Sequence, residues 1–574
     1  MDPGSVVLEL DGVAPPLAFT APRAVAAAFA PGDVRRALAE VQAAVAAGRW
    51  AAGFIAYEAA PALDPALPAK PPGPGPLVWF GIYDAPAAGP PAEEGEASLG
   101  PLAPEIDRAA YDGSIARIRA AIARGDVYQV SHTFRLRGAF RGDPLALFRR
   151  LRRAQGGGQG ALVHLGERAI VSASPELFLD KRGDRLLARP MKGTARRGRF
   201  TEEDDAAAAA LAASPKDRAE NVMIADLLRN DLGRVARTGS VRVSSLFDVE
   251  RYRTVLQLTS TVEARLRRGV GLVELLAAAF PCGSVTGAPK RAAMRVIADE
   301  ESSPRGAYCG AMGFVAPGGD AAFNVAIRTV EVDLVRGEAT AGVGGGVTWD
   351  SSAEGEYDEA LAKAAFLSCD EPPFDLVETM RLENGAIRLL PRHLARLASS
   401  ARYFGYRFDR SAVEAALARE VRAGGDRRVR LLLGPGGEPR IETAPLPDAP
   451  GGAVAVALAR ARGSRSDPFL FHKTTRRAVH DAARRERPDA FDVLLANDEG
   501  EATEFTIGNL VAEVGGERVT PPRDSGLLAG VFREELLARG EVRERPLRVG
   551  DVRGATRLWL VNAVRGWVPA RLLP

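Results

Sequence analysis

The chain has 574 residues, 46% of them hydrophobic and 26% charged, a globular composition with enough length for two or three domains. With 76 basic against 73 acidic residues the net charge is only +3, and no basic stripe interleaved with aromatics occurs, which argues against a nucleic-acid surface. No apolar run is long enough to span a bilayer, the opening MDPGSVVLEL has no basic n-region, and Cys282, Cys309 and Cys369 lack metal or disulfide spacing, so the expectation is a cytoplasmic protein with no membrane segment.

Residues 1–100 are rich in Ala and Pro. Within them Gly53–Tyr57 (GFIAY) and Leu77–Tyr83 (LVWFGIY) read as strands, whereas Pro68–Pro76 and Ala85–Pro104 read as surface loops. Tyr111–Arg124 reads as an amphipathic helix ended by a turn at Gly125-Asp126. From there to about Ser368 short β-rich runs alternate with helical ones, an α+β pattern. Ala206–Ala213 reads as plain helix. The string SCDEPPFD near Ser368 is the best linker, with a Pro pair and acidic residues. The expected division is therefore a domain at 1–368, a linker at 369–374 and a second domain at 375–574.

Only seven of the 76 basic residues are lysines: Lys70, Lys181, Lys192, Lys216, Lys290, Lys363 and Lys473. Genomic base composition accounts for the scarcity but not for where the survivors lie. Arginine stays protonated and is a poor nucleophile; lysine can be deprotonated by its surroundings and attack carbon or form a Schiff base. Lysines that persist in so Arg-rich a chain are candidates for that work.

The segment Lys216–Val235 reads as a helix with a buried stripe at Val222, Ala225, Leu228 and Leu232, and with Glu220, Ile224, Leu227 and Asp231 on another face. In Asp350–Lys363, Ser351 and Glu354 have the form of a capping box, and Glu356, Glu359 and Lys363 follow along one face. Glu359 with Lys363 is a surface pair on one reading; on another, the two acidic helices share one Mg²⁺, which needs only a few carboxylates. The run GVGGGV (Gly342–Val347) reads either as a tight turn between strands or as backbone N–H groups approaching a carboxylate. Spacing leaves these alternatives open.

Taken in order, YQVSHT (Tyr128–Thr133), SASPELFL (Ser172–Leu179), RPMKGTARRG (Arg189–Gly198), KDRAENVMIADLLRNDLGRV, FPCGSVTGAPKRAAM (Phe280–Met294), PRGAYCGAMGF (Pro304–Phe314), FNVAIRT (Phe323–Thr329) and GVGGGVTWDSSAEGEYDE resemble the chorismate-utilising enzymes over roughly residues 50–368. The resemblance implies a large antiparallel β-sandwich with surrounding helices. It implies Mg²⁺ at Glu220 and Glu359 with Glu356 close by. It implies substrate carboxylates gripped by Tyr308 and Arg328 and by the backbone at Gly344 and Gly345, with Ser284, Thr286 and Lys290 lining the site. In Pro190–Thr194 (PMKGT) the lysine matches the aminodeoxychorismate synthases of the family and makes Lys192 the expected nucleophile; the plainer reading is a salt bridge or an ammonium that only binds substrate. Gln257 stands where anthranilate synthases of the family carry a proton-moving histidine. No G-x-C-x-G nucleophile turn of a glutaminase occurs, so ammonia is expected from a separate glutamine amidotransferase subunit or from solution.

Phe374–Phe404 reads as strand, turn, strand, helix, and Lys473 in FHKTTRRAV is a Schiff-base candidate or a surface ammonium. With ATEFTIGNLV (Ala502–Val511) and SGLLAGVFR (Ser525–Arg533), this part resembles the fold-type IV pyridoxal-phosphate enzymes, which implies a two-subdomain α/β domain. By that resemblance Lys473 carries pyridoxal 5'-phosphate (PLP), Glu504 pairs with its pyridinium nitrogen, and Arg396 holds its phosphate. Thr506, Ile507, Gly530 and Val531 are further phosphate-loop elements. His480 and Ala563 depart from the family's Tyr and Ser. The two resemblances together imply chorismate amination to 4-amino-4-deoxychorismate followed by pyruvate elimination to 4-aminobenzoate, for folate; the rivals are an anthranilate or isochorismate synthase component fused to a class IV aminotransferase, or one domain kept only for binding. A homodimer through the second domain is a further expectation.

Overall fold

In the computed structural model of the chain, the two aromatic runs near the N-terminus are the strands Trp50–Ile55 and Val78–Tyr83, paired antiparallel with Gly53 opposite Phe80. The structure describes residues 1–87, 89, 95–368 and 372–573. Residues 88 and 90–94 of the expected loop, and 369–371 of the expected linker with Cys369, lie outside the described residues.

The first unit is built on two ten-stranded sheets whose ladders are antiparallel. Alternation along the strand Val6–Leu10 shows how they are covered. Val6 and Leu8 enter a core shared with Phe54 and Phe80 of the other sheet, while Val7 faces a second core formed with Tyr111, Ile115 and Phe148 of the helices Arg108–Ala123 and Pro144–Gln155.

Four local expectations differ from the structure. The expected loop Ala85–Pro104 contains the short strands Ala97–Leu99 and Ala103–Pro104, both paired with Gln129–Gly142. The glycine run is no turn: Glu338–Val347 is one strand, with Gly344 opposite Thr133 and Gly345 opposite His132 of the strand Gln129–Gly142. The helix over the KDRAENV segment spans Pro215–Gly233, and its buried face is Asn221, Ile224, Ala225, Leu228, Asp231 and Leu232, while Val222 is exposed. Apolarity alone set the expected stripe, whereas the buried face includes two polar residues that have partners inside. The acidic helix spans Ala353–Ala362 and is capped by Ser352, whose hydroxyl accepts from Gly355 N–H at 3.1 Å; Ser351, the expected cap, instead donates to Glu356 at 2.6 Å.

The second unit holds a four-stranded antiparallel sheet and an eight-stranded mixed sheet. In the first, Leu376–Glu383 and Arg427–Leu433 pair, and Leu376, Met380, Val429 and Leu431 pack against the helices Leu390–Phe404 and Arg410–Ala423. In the second, Val454–Gly463 runs parallel to both neighbours, Asp492–Asn497 and Gly566–Leu572. The unit begins at Pro372 and also takes in Arg197–Ala207, a stretch that the sequence reading assigns to the first domain. Among the described residues no helix is long and apolar enough to cross a membrane.

Candidate active sites

The strand Met191–Arg196 carries Lys192, whose Nζ lies 3.1 Å from Glu220 Oε2 on the helix Pro215–Gly233. The next helical residue, Asn221, donates to the Lys192 carbonyl at 3.1 Å and the Leu258 carbonyl at 3.0 Å, which ties helix to strand. The glycine strand passes close by. A Cβ on Gly346 would stand 2.6 Å from Lys192 Nζ, and one on Gly345 would stand 2.9 Å from Glu356 Oε2. Lys363 donates to the Gly344 carbonyl at 3.0 Å and pairs with Glu359 at 2.8 Å. One site thus gathers Lys192, Glu220, Gly344, Gly345, Glu356 and Glu359.

Burial raises the Glu356 carboxyl, the Ser351 hydrogen bond opposes that, and the charge of Glu359 adds to it. Burial also works against the charge on Glu359, but Lys363 outweighs it and holds that carboxyl below its ordinary value. Among the described residues no three potential metal ligands are grouped closely enough to hold an ion by themselves. The adjacent Glu356 and Glu359 fit a Mg²⁺ that takes its other oxygens from substrate and water, and the cation would relieve their mutual repulsion.

Glu176 joins this site without a motif position of its own in the sequence. It is buried, and burial pushes its carboxyl up to about 7 against hydrogen bonds from Ser284, the Met191 backbone and Cys282 and against the charge of Lys192. Its signal in the sequence is slight, an acid inside the apolar run SASPELFL.

Three of the expected substrate contacts are engaged by the protein itself. Lys290 donates to Asp231 at 2.6 Å and to the carbonyls of Ala279 at 3.1 Å and Pro281 at 2.7 Å. An ammonium has three donors, so none is left for a substrate. Thr286 is fully buried and its hydroxyl bonds to the Gly283 carbonyl at 3.1 Å. Arg328, at φ 51°, turns its guanidinium to Gln155 and over Phe366, and burial lowers it to about 10. Tyr308 is buried beneath the Arg135 guanidinium, 5.1 Å from its ring, and Ser284 lies 3.2 Å from Cys282 Sγ beside Glu176.

The second unit encloses a cavity of about 390 Å³ lined in part by Lys473, Glu504, Arg396, Gly530 and Val531. The Lys473 amine has no hydrogen-bond or ion-pair partner among the described residues. Burial, with Arg396 and Arg477 adding to it, lowers the amine to about 8. Glu504 is 3.2 Å from His480 Nε2 and 3.4 Å from Asn509 Nδ2. Gly530 precedes the helix Val531–Ala538, and a Cβ there would fall 1.9 Å from Asn509 Oδ1, so only glycine lets the helix N-terminus come this close.

Residues 85–368 match the family of chorismate binding enzymes, and residues 375–573 match the class IV amino-transferases. The chain joins a chorismate-binding domain to a class IV aminotransferase domain. Aminodeoxychorismate synthase component 1 of Klebsiella aerogenes is 43% identical over 258 residues, 45% of this chain and 57% of that one. Anthranilate synthase component 1 of Haloferax volcanii is 38% identical over 260 residues, 45% of this chain and 49% of that one. The chain therefore spans about half the length of these curated relatives. The crystal structure of anthranilate synthase component I from Streptococcus pneumoniae TIGR4 superposes with a TM-score of 0.53 at 26% identity, over 64% of this chain and 91% of that one.

The class IV domain's residues fit PLP: an amine with no hydrogen-bond or ion-pair partner among the described residues, a carboxylate fixed by His480 and Asn509, and a helix N-terminus without a side-chain cap, which suits a phosphate. Family members use PLP in this domain and Mg²⁺ in the other. The other expected phosphate contacts are arranged differently. Arg396 is bidentate on Glu378, at 2.9 and 2.7 Å, and gives a third bond to the Ala529 carbonyl. The Thr506 hydroxyl and the Ile507 N–H both point to the buried Asp492. At Ala563 the missing serine hydroxyl does not undo the loop, because Asn562 Oδ1 accepts from Val564 N–H at 3.1 Å and Arg565 N–H at 2.8 Å. In the chorismate-binding domain, Gln257 accepts from the Thr194 hydroxyl at 3.2 Å, beside the Lys192 strand.

Proposed function

We propose that the chain makes 4-aminobenzoate from chorismate in two steps, amination in the chorismate-binding domain and pyruvate elimination in the class IV domain. The observation that carries this reading is the placement of one lysine in each site: Lys192 beside Glu220 and the glycine strand, and Lys473, without a hydrogen-bond or ion-pair partner among the described residues, on the wall of the second unit's cavity. The ammonia comes from a separate glutamine amidotransferase subunit.

The first step needs Lys192 to shed its proton at its place beside Glu220. The freed amine attacks carbon 2 of chorismate, the ring double bonds shift, and the carbon-4 hydroxyl leaves as water with a proton from Glu176. Ammonia then adds at carbon 4, and the bond from carbon 2 to Lys192 breaks. The backbone along Gly344–Gly346, bare of side chains, lets a carboxylate come close. Mg²⁺ at Glu356 and Glu359 would neutralise the ring carboxylate.

In the second step, PLP supplies an electron sink for the carbon that bears the amino group. Lys473 removes the proton from that carbon and returns one to the departing enolpyruvyl group. Glu504 holds a proton on the ring nitrogen of the cofactor, steadied by His480 and Asn509. Arg428, Arg430 and Arg565 also line the cavity, a charge balance suited to a substrate with two carboxylates.

Full-length protein incubated with chorismate, ammonium, Mg²⁺ and PLP is expected to release 4-aminobenzoate and pyruvate. Lys192→Ala should stop consumption of chorismate. Lys473→Ala should accumulate the 4-amino-4-deoxy intermediate. Anthranilate as the product would overturn the assignment of the first step.

A further inference from the structure

The turn that presents Lys473 leans on residues from the other half of the sequence. Phe200 is buried against Leu470 and Phe471, with ring centroids of Phe200 and Phe471 5.3 Å apart. The Arg523 guanidinium covers the Phe200 ring at 3.8 Å, and Arg199 covers the Phe471 ring at 5.0 Å. His472, adjacent to Lys473, packs on the Tyr403 ring at 4.3 Å and bonds to the Ser400 hydroxyl at 2.9 Å. Tyr403 is held in turn by this segment: Arg197 lies over its ring at 4.4 Å and donates to its carbonyl at 2.8 Å, and the Tyr403 hydroxyl donates to the Gly198 carbonyl at 2.7 Å.

The segment is itself firmly shaped. Asp204 receives Arg197 at 2.5 and 3.0 Å and the Gly198 N–H at 3.1 Å, with both charged side chains nearly fully buried. A Cβ on Gly198 would fall 2.2 Å from Asp204 N, so the turn requires glycine there. Thr201 exchanges hydrogen bonds with Ser399, and Glu202 pairs with Arg523 at 3.0 Å. Apolar packing, a buried ion pair and backbone bonds converge on one short stretch, far more than a surface loop needs.

We infer that Arg197–Asp205 is a working part of the class IV domain, and that Phe200 and Arg197 are positioning residues for Lys473, acting through Phe471 and through Tyr403 and His472. The inference rests on the reading of Lys473 as the cofactor-bearing amine. It makes the geometry of the second site depend on a stretch of chain that lies between Lys192 and Glu220 in the sequence.

The test uses the full-length protein with Phe200→Ala and the conservative Phe200→Leu. Backbone hydrogen exchange should speed up at least tenfold over Phe469–Thr475 in Phe200→Ala, while the strand Ala502–Phe505 of the same domain stays protected. The pH midpoint of the bound cofactor's absorbance should shift in the same variant, and Phe200→Leu should restore most of both. Unchanged exchange over Phe469–Thr475 would overturn the inference. So would a rise spread evenly across the domain, which would mark Phe200 as a packing residue only. Borohydride reduction of the wild-type protein with PLP, followed by peptide mapping, tests the underlying reading separately. A cofactor adduct away from Lys473 would sink that reading and leave the exchange result interpretable.

Discussion

Lys290 Nζ stands 2.6 Å from Asp231 Oδ2, and the same ammonium donates to two backbone carbonyls near the Phe280–Met294 motif. Burial raises the Asp231 carboxyl, and Lys290 is the charge that opposes the rise. The pair fastens the helix Pro215–Gly233, which carries Glu220, to the segment that carries Ser284.

Removing one partner should therefore act on stability. Lys290→Met leaves Asp231 as a buried carboxylate without its counter-charge, a change that costs about 3–5 kcal/mol. Thermal unfolding should show a clear loss. In protein that remains folded, chorismate KM should change little. A large rise in KM without loss of stability would return Lys290 to the substrate contacts.

Glu176 should give the chorismate-binding domain a pH limb. Its carboxyl is raised to about 7, so it carries its proton below that pH and loses it above. The rate of chorismate consumption should fall as pH rises through about 7. Glu176→Gln should cost about a hundredfold or more in rate and remove the limb. A limb that survives the substitution would assign proton donation elsewhere.

Lys473 has a sign of its own in cofactor-free protein. Its amine is lowered to about 8 in the fold from an ordinary 10.5, so between these values the unfolded chain binds the proton that the folded chain has lost. Stability should rise with pH across that window and lose this contribution below it. Lys473→Met should flatten the rise, and acylation of Lys473 should titrate near 8 when followed by peptide mapping.

Gly530→Ala tests the cofactor cradle. The added Cβ would sit 1.9 Å from Asn509 Oδ1, and the Asn509 amide also donates to the Leu528 carbonyl at 2.8 Å, so the collision meets a side chain held in place. The helix N-terminus must shift, and PLP affinity should fall about tenfold or more by equilibrium titration, a loss of about 1.4 kcal/mol. Unaltered affinity would mean that the phosphate is held elsewhere.

The motif strings made the two-domain plan legible, and they point to Lys192 and Lys473 because the chain is otherwise so poor in lysine. Partnering was less legible. Nothing in GSVTGAPK tells that Lys290 spends its donors on Asp231, Ala279 and Pro281, since two of these partners are backbone carbonyls. Thr506 and Ile507 look free in TEFTIGN, but Asp492 reaches both from a neighbouring strand. Glu176 is not legible in the sequence, because its perturbation comes from burial, which a single acid among apolar residues does not disclose.

The sequence by itself determined which chemistry is available: amines at Lys192 and Lys473, carboxylates at Glu220, Glu356, Glu359 and Glu504, and glycines where the backbone must come close. Only the tertiary structure decided which of these groups remain free to act. It turned GVGGGV into a strand, because the run pairs residue for residue with Gln129–Gly142. It also assigned Arg197–Ala207 to the second unit, because buried contacts with Ser399, Tyr403 and Phe471 outweigh nearness along the chain. Residue type follows from local chemistry, but burial and partners arise from residues distant in sequence, and they set each group's charge and reach.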